Sequence, residues 1–106
     1  MPTLPSRSVA GGALEMHYTY ILRSLRDGRL YVGSTADVHR RLQRHNLGLV
    51  PSTRHRRPLV LEWHEAHPTR AEAVRREMYL KSLEGSAEKM RLASGPPSLR
   101  PDDLGA

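Results

Sequence analysis

Asp27-Gly28 stands between two runs that read as strands, "HYTYILRS" and "LYVG". Aromatic and β-branched residues suit a pleated, half-buried backbone, and an Asp-Gly pair supplies the reversal a hairpin needs. The two strands must then be antiparallel neighbours, because a short turn cannot serve a parallel pair. A two-stranded hairpin is marginal alone, so the rest of the chain has to extend and cover it.

The remaining elements follow from local signals. Ser34 or Thr35 can cap a helix that runs to about Asn46, and Gly48 can stop it. Leu47 to Arg57 is a basic loop, and "PLVLEWHEA" is a third strand. "TRAEAVRREMYLKSLEG" opens with a capping box, Thr69 to Glu72, and predicts a helix closing at Gly85. A short last helix covers about Ala87 to Ala93. The order β-β-α-β-α-α predicts an α+β fold: a small three-stranded antiparallel sheet flanked by helices. With 106 residues there is room for one domain, expected at 16–94. Residues 1–15, rich in Pro, Ser and Gly, are expected to be a disordered extension, and 95–106 a flexible Pro-rich tail.

Charge narrows the class of partner. Lys and Arg number 17 against 11 Asp and Glu, a formal charge of +6, and Arg greatly outnumbers Lys. Arg presents a planar fork of donors suited to phosphate, so nucleic acid is the expected partner. The absence of Cys excludes disulfides and thiolate zinc sites and fits a cytoplasmic setting. No apolar run approaches a membrane span, and the first fifteen residues lack the apolar core of a signal peptide.

The helix faces carry the chemistry. Residues advance about 100° each along a helix, which puts Arg41 and His45 on the core-facing arc of Val38 and Leu42. Arg40 and Arg44 point the other way. In the later helix, Ala73, Val74, Met78 and Leu80 define the apolar arc and Glu77 falls inside it, with Lys81 one turn on. Glu72 and Arg76 form an i,i+4 pair on the outer face. A carboxylate within a core stripe needs a cation, a metal or several donors. Glu77 is therefore either half of a structural pair with Lys81 or Arg41, or the wall of a functional cleft. Arg41 could equally snorkel, and His45 could be a satisfied boundary histidine. Tyr18 and Tyr20 alternate with Thr19 and share a sheet face. One carboxylate, one arginine, one histidine and these tyrosines with Tyr31 suit phosphodiester hydrolysis: a carboxylate for a divalent metal, an arginine for the phosphate charge, a phenol or imidazole for the water proton.

The stretches "YTYILRS", "LYVGSTADVHRRLQRHNLG", "STR" and "EAVRREMYLKSL" resemble the GIY-YIG nuclease superfamily, most closely its small stand-alone bacterial members, over about Met16 to Leu83. The resemblance places the first motif's tyrosine on Tyr20 and the second motif on Tyr31, Val32 and Gly33. It places the helix arginine on Arg41, the position one turn later on His45, and the metal-binding glutamate on Glu77. It implies hydrolysis of DNA, single-stranded or branched, as in DNA repair, at one divalent ion, Mg²⁺ or Mn²⁺. Glu77 would hold the ion, Arg41 would stabilise charge on phosphate, and Tyr31 would activate water with His45 and Tyr20 orienting. Gly33 is expected to turn strand into helix. Two positions depart from the family pattern: Tyr18 replaces its first Gly, and no Asn follows Asn46. The second departure keeps a non-catalytic nucleic-acid-binding module as the alternative, and the small footprint leaves room for a protein partner in substrate choice.

Arg54, His55, Arg56 and Arg57 are expected to contact the substrate backbone beside the site, joined by Lys81. "WHEAH" is one residue short of a zinc-protease helix, and on a strand His64 and His67 face opposite sides. Trp63 is expected to pack.

Overall fold

The computed structural model describes residues 15–95; the expected N-terminal extension and the Pro-rich tail lie almost wholly outside them. The elements are β1 (His17–Ser24), β2 (Leu30–Thr35), α1 (Val38–Asn46), β3 (Leu59–His67), α2 (Arg70–Lys81) and α3 (Ser86–Leu92), with one 3-10 turn, Arg54–Arg56. This is the β-β-α-β-α-α order read from the sequence. The sheet order is β2-β1-β3, and β1 pairs antiparallel with both neighbours. A bulge between Ile21 and Leu22 leaves Glu62 as the extra residue of β3.

The hairpin is wider than Asp-Gly alone suggests. The strands end at Ser24 and begin again at Leu30. The Ser24 hydroxyl accepts from the amides of Arg26 and Asp27, and the Asp27 carboxylate accepts from the Arg29 amide. These side-chain acceptors stabilise a longer reversal than a two-residue turn.

Period-2 alternation on β1 splits the interior in two. Tyr20 and Leu22 face α1 with Leu42, Leu59 and Leu61, and Tyr31 and Val38 pack against them. Ile21 faces the other way with Val32, Leu80 and Ala93, packed by Leu30, Trp63 and Leu92. The two long helices therefore cover opposite faces of the sheet. The Thr19 hydroxyl ties β1 to α2 by donating to the Ala73 carbonyl at 2.8 Å.

Three local expectations are corrected. Asp37, not Ser34 or Thr35, caps α1: its carboxylate accepts from the Arg40 amide at 3.0 Å, because β2 runs on through Thr35. The end of α1 is as expected, with Gly48 at φ +81° and the Gly48 and Leu49 amides bonded to the carbonyls of His45 and Arg44. Helix α2 stops at Lys81 rather than near Gly85; Ser82 turns to extended backbone and its hydroxyl donates to the Tyr79 carbonyl. The capping threonine is right, since Thr69 accepts from the Glu72 amide.

The outer face of α2 also differs. Arg76 donates to Glu65 on β3 and to Glu88 on α3, at 3.0 and 2.6 Å, instead of pairing with Glu72. Its guanidinium lies 5.6 Å from the Trp63 ring centre, so Trp63 packs as expected. Met78 is 64% exposed and leaves the apolar arc, whose buried members are Ala73 and Leu80. The stripe narrows because α3 covers only one flank of α2.

Candidate active site

Tyr20 is the centre of the site. It lies in the middle strand, 2% exposed, with its ring over Gly33 of β2. A Cβ at Gly33 would sit 2.5 Å from the Tyr20 hydroxyl oxygen and 2.7 Å from Cζ. Gly33 is thus not the turn expected of it. It sits inside β2, outside the left-handed region, and its missing side chain makes room for a phenol.

The Tyr20 hydroxyl lies 3.0 Å from His45 Nε2, and His45 Nδ1 lies 2.7 Å from the Thr53 hydroxyl. His45 and Thr53 are fully buried. The Arg41 charge also acts on the Tyr20 hydroxyl. The Thr53 hydroxyl donates to the Val50 carbonyl, so it accepts from Nδ1 and leaves Nε2 to accept the Tyr20 proton. His45 then carries its own proton on Nδ1 and gives it to Thr53. The Thr53 hydroxyl lies 3.5 Å from the Val50 carbonyl, which terminates the chain of donors. Sequence reasoning missed Thr53, since only the folding of the basic loop brings it to His45.

Burial dominates the titration of this group. It raises the Tyr20 phenol well above its ordinary range, with Tyr31 and Glu77 adding to the rise and Arg41 opposing it. Burial, and then the Arg41 charge, lowers His45 to about 4. An unfolded histidine titrates near 6.5, so as pH falls the unfolded chain gains this proton before the folded one does. The folded state should lose stability between about pH 6.5 and pH 4, by at most about 3 kcal/mol. Thermal melting from pH 7.5 to 4.5 tests this. The acid-sensitive step should be missing in His45→Gln, and a flat parent profile over that range would contradict a neutral buried His45.

Tyr31 is half-buried on the same face, its ring centre 5.0 Å from His45 and 6.4 Å from Tyr20. It is the more accessible of the two phenols. Tyr18 lies on this face as expected, against His64 at 6.0 Å.

Glu77 comes from the far side of the sheet. Its carboxylate accepts from the Ser34 hydroxyl at 2.8 Å and from Lys81 at 2.6 Å. Strand alternation explains the reach. Gly33 faces α1 and Ser34 faces α2, so Glu77 meets β2 one residue along from the Tyr20 contact. Its charge and that of Arg41 both act on the Tyr20 hydroxyl. Ser34, which holds Glu77, lines the same cleft as Arg41, so the two charged groups flank β2 although their helices lie on opposite faces. Ser34 went unrecognised because it reads as a helix cap; extending strand alternation from Gly33 would have found it.

That cleft is open, about 360 Å³ in volume, and lined by His17, Ser34, Thr35, Asp37, Arg41 and Arg70 among others. Among the described residues no three His, Asp or Glu side chains cluster as a metal cage. Glu77 with the Ser34 hydroxyl still suits Mg²⁺ or Mn²⁺, hard ions that sit on one or two carboxylates and complete their shell with water and substrate phosphate.

The basic loop is only partly free. Arg54, His55 and Arg57 are exposed, but Arg56 folds back. It donates to Asp27 at 3.1 Å and to the Leu30 carbonyl, while its own carbonyl accepts from Ser24. Arg56 clasps the hairpin. Lys81 is engaged by Glu77.

The sequence matches the family described as the GIY-YIG catalytic domain over residues 16–91. It is 43% identical over 67 residues to a UPF0213 protein of Bacillus pumilus, covering 62% of this chain and 67% of that one. A UPF0213 protein of Staphylococcus saprophyticus is 35% identical over 82 residues, covering 76% and 98%. The solution NMR structure of a UPF0213 protein from Bacillus halodurans, 38% identical, covers 76% of this chain and 88% of its own at a TM-score of 0.46.

Proposed function

We propose that this chain, which belongs to the GIY-YIG catalytic-domain family, is a metal-dependent endonuclease. It hydrolyses phosphodiester bonds in DNA with little sequence preference, favouring single-stranded or branched forms. The observation that carries this reading is that Ser34, which holds Glu77 at 2.8 Å, lines one cleft with Arg41, beside the buried Tyr20–His45–Thr53 chain.

Glu77 would hold Mg²⁺ or Mn²⁺ with Ser34 steadying its second oxygen. Such an ion neutralises charge on the phosphate and on the departing oxygen. Arg41 lines the open cleft, and its fork of donors suits the non-bridging phosphate oxygens. Tyr31 is the phenol placed to meet water. Tyr20 and His45 act from behind. With its proton committed to Nε2, Tyr20 leaves its lone pairs for the nearby Arg41 charge, and His45, neutral at working pH, keeps Tyr20 oriented. A small domain with one such site reads backbone rather than bases.

Cleavage of single-stranded, duplex and branched DNA, and of RNA, tests the reading. Cutting should require Mg²⁺ or Mn²⁺, stop with EDTA and return with excess metal. Arg41→Gln should lose at least about a hundredfold in rate, as expected for removing a donor to developing charge. Absence of cutting on every substrate, with binding intact, would favour the non-catalytic binding module. The Lys81 ammonium on Glu77 gives that second reading its structural support.

A further inference from the structure

We infer that the cleft beside the site is a second phosphate subsite, in which Arg70 and His17 hold a backbone phosphate next to the one bound by Arg41. The inference rests on the nuclease reading and adds the path of the strand to it. Arg41 and Arg70 line one open cleft, Arg41 from α1 and Arg70 from the first turn of α2. His17, at the start of β1, lines it too.

The charge in the cleft is left available. Among the described residues Arg70 has no ion pair and no side-chain hydrogen bond, whereas Arg23, Arg56 and Arg76 each meet a carboxylate. The single acid in the lining, Asp37, already accepts from the Arg40 amide. The hydroxyl-bearing Ser34 and Thr35 complete the wall. Exposed arginine without a carboxylate, sharing a cleft with the arginine aimed at substrate, is a phosphate-binding arrangement. The loop contributes less, because Arg56 is occupied with the hairpin.

This gives the substrate a direction. The backbone crosses from Arg41 over the ends of β2 and β1 toward the N-terminus of α2. Arg70 positions and does not take part in the chemistry.

The test is Arg70→Gln in the full chain, with Arg54→Gln in the loop as comparison. Binding of a fluorescent single-stranded 12-mer is followed by anisotropy in EDTA across a salt series, and cleavage is measured with Mg²⁺ or Mn²⁺. Arg70→Gln should weaken binding about three- to tenfold at low salt and flatten the log–log salt slope by about 0.7. It should raise KM by a similar factor and leave kcat within about twofold. Arg54→Gln should do less on each count. An Arg70→Gln variant that binds and responds to salt like the parent overturns the subsite and leaves the nuclease reading intact. A parent that binds no nucleic acid overturns both.

Discussion

Glu77→Gln is expected to stop cleavage and leave the fold standing. Gln keeps the size of the side chain and an oxygen to accept from Ser34, but it cannot supply the charge that holds a divalent ion. Loss of metal stabilisation of several kcal/mol corresponds to about two orders of magnitude in rate or more. Binding of uncut DNA should persist or tighten, since a negative charge beside phosphate has gone. The competing account, in which Glu77 is only the partner of Lys81, predicts something else. The Lys81 side chain is 51% exposed and that of Glu77 18%. A freed Lys81 simply takes up water, and such a pair is worth about 0–1 kcal/mol. Melting temperature and cleavage measured on the same preparation separate the two. A folded Gln variant that cuts as fast as the parent removes Glu77 from the mechanism.

The second large effect is expected at Gly33. Gly33→Ala asks nothing unusual of the backbone, so its whole effect comes from the new Cβ against the Tyr20 phenol, 2.5 Å from the oxygen and 2.7 Å from Cζ. Tyr20 yields only at a cost, because its ring is buried against Tyr31 and His45. Overpacking of this kind costs about 1–3 kcal/mol, or roughly 4–8 °C of melting temperature per kcal/mol in a domain of this size. Activity should fall further than stability does, since the ring that shifts is the one on which the Arg41 charge acts. Adding Tyr20→Phe relieves the closest contact and should recover part of the stability but none of the rate. An Ala variant that melts and cuts like the parent would show that the space over Gly33 has no such use.

Much of the site was legible because it breaks a rule of burial. Arg41, His45 and Glu77 stood out as polar groups on apolar arcs, and such groups need partners wherever they lie. The partners themselves were hidden. Thr53 reaches His45 through the fold of a loop, Arg76 finds Glu65 and Glu88 on other elements, and Arg56 turns back to Asp27. None of these pairings leaves a periodic trace. The element order was legible for the opposite reason: hairpin, caps and stop signals are local chemistry. The errors in it were local too. Ser34 and Thr35 are good caps, but Asp37 lies nearer the helix start and its carboxylate wins. Gly33 looked like a turn because glycine usually marks one, while its use here depends on a ring from the neighbouring strand.

The placement of Glu77 across the sheet from Arg41 bears on how the protein is made. Translation delivers Tyr20, Tyr31, Arg41 and His45 first, then Thr53, and the carboxylate only after β3 has been added to the far edge of the sheet. A nascent chain that has already formed its hairpin and first helix carries Arg41 but neither Arg70 nor the carboxylate proposed to recruit metal. On the proposed reading such a chain can meet phosphate but cannot yet cut, and it gains that capacity only when α2 settles on the opposite face of the sheet.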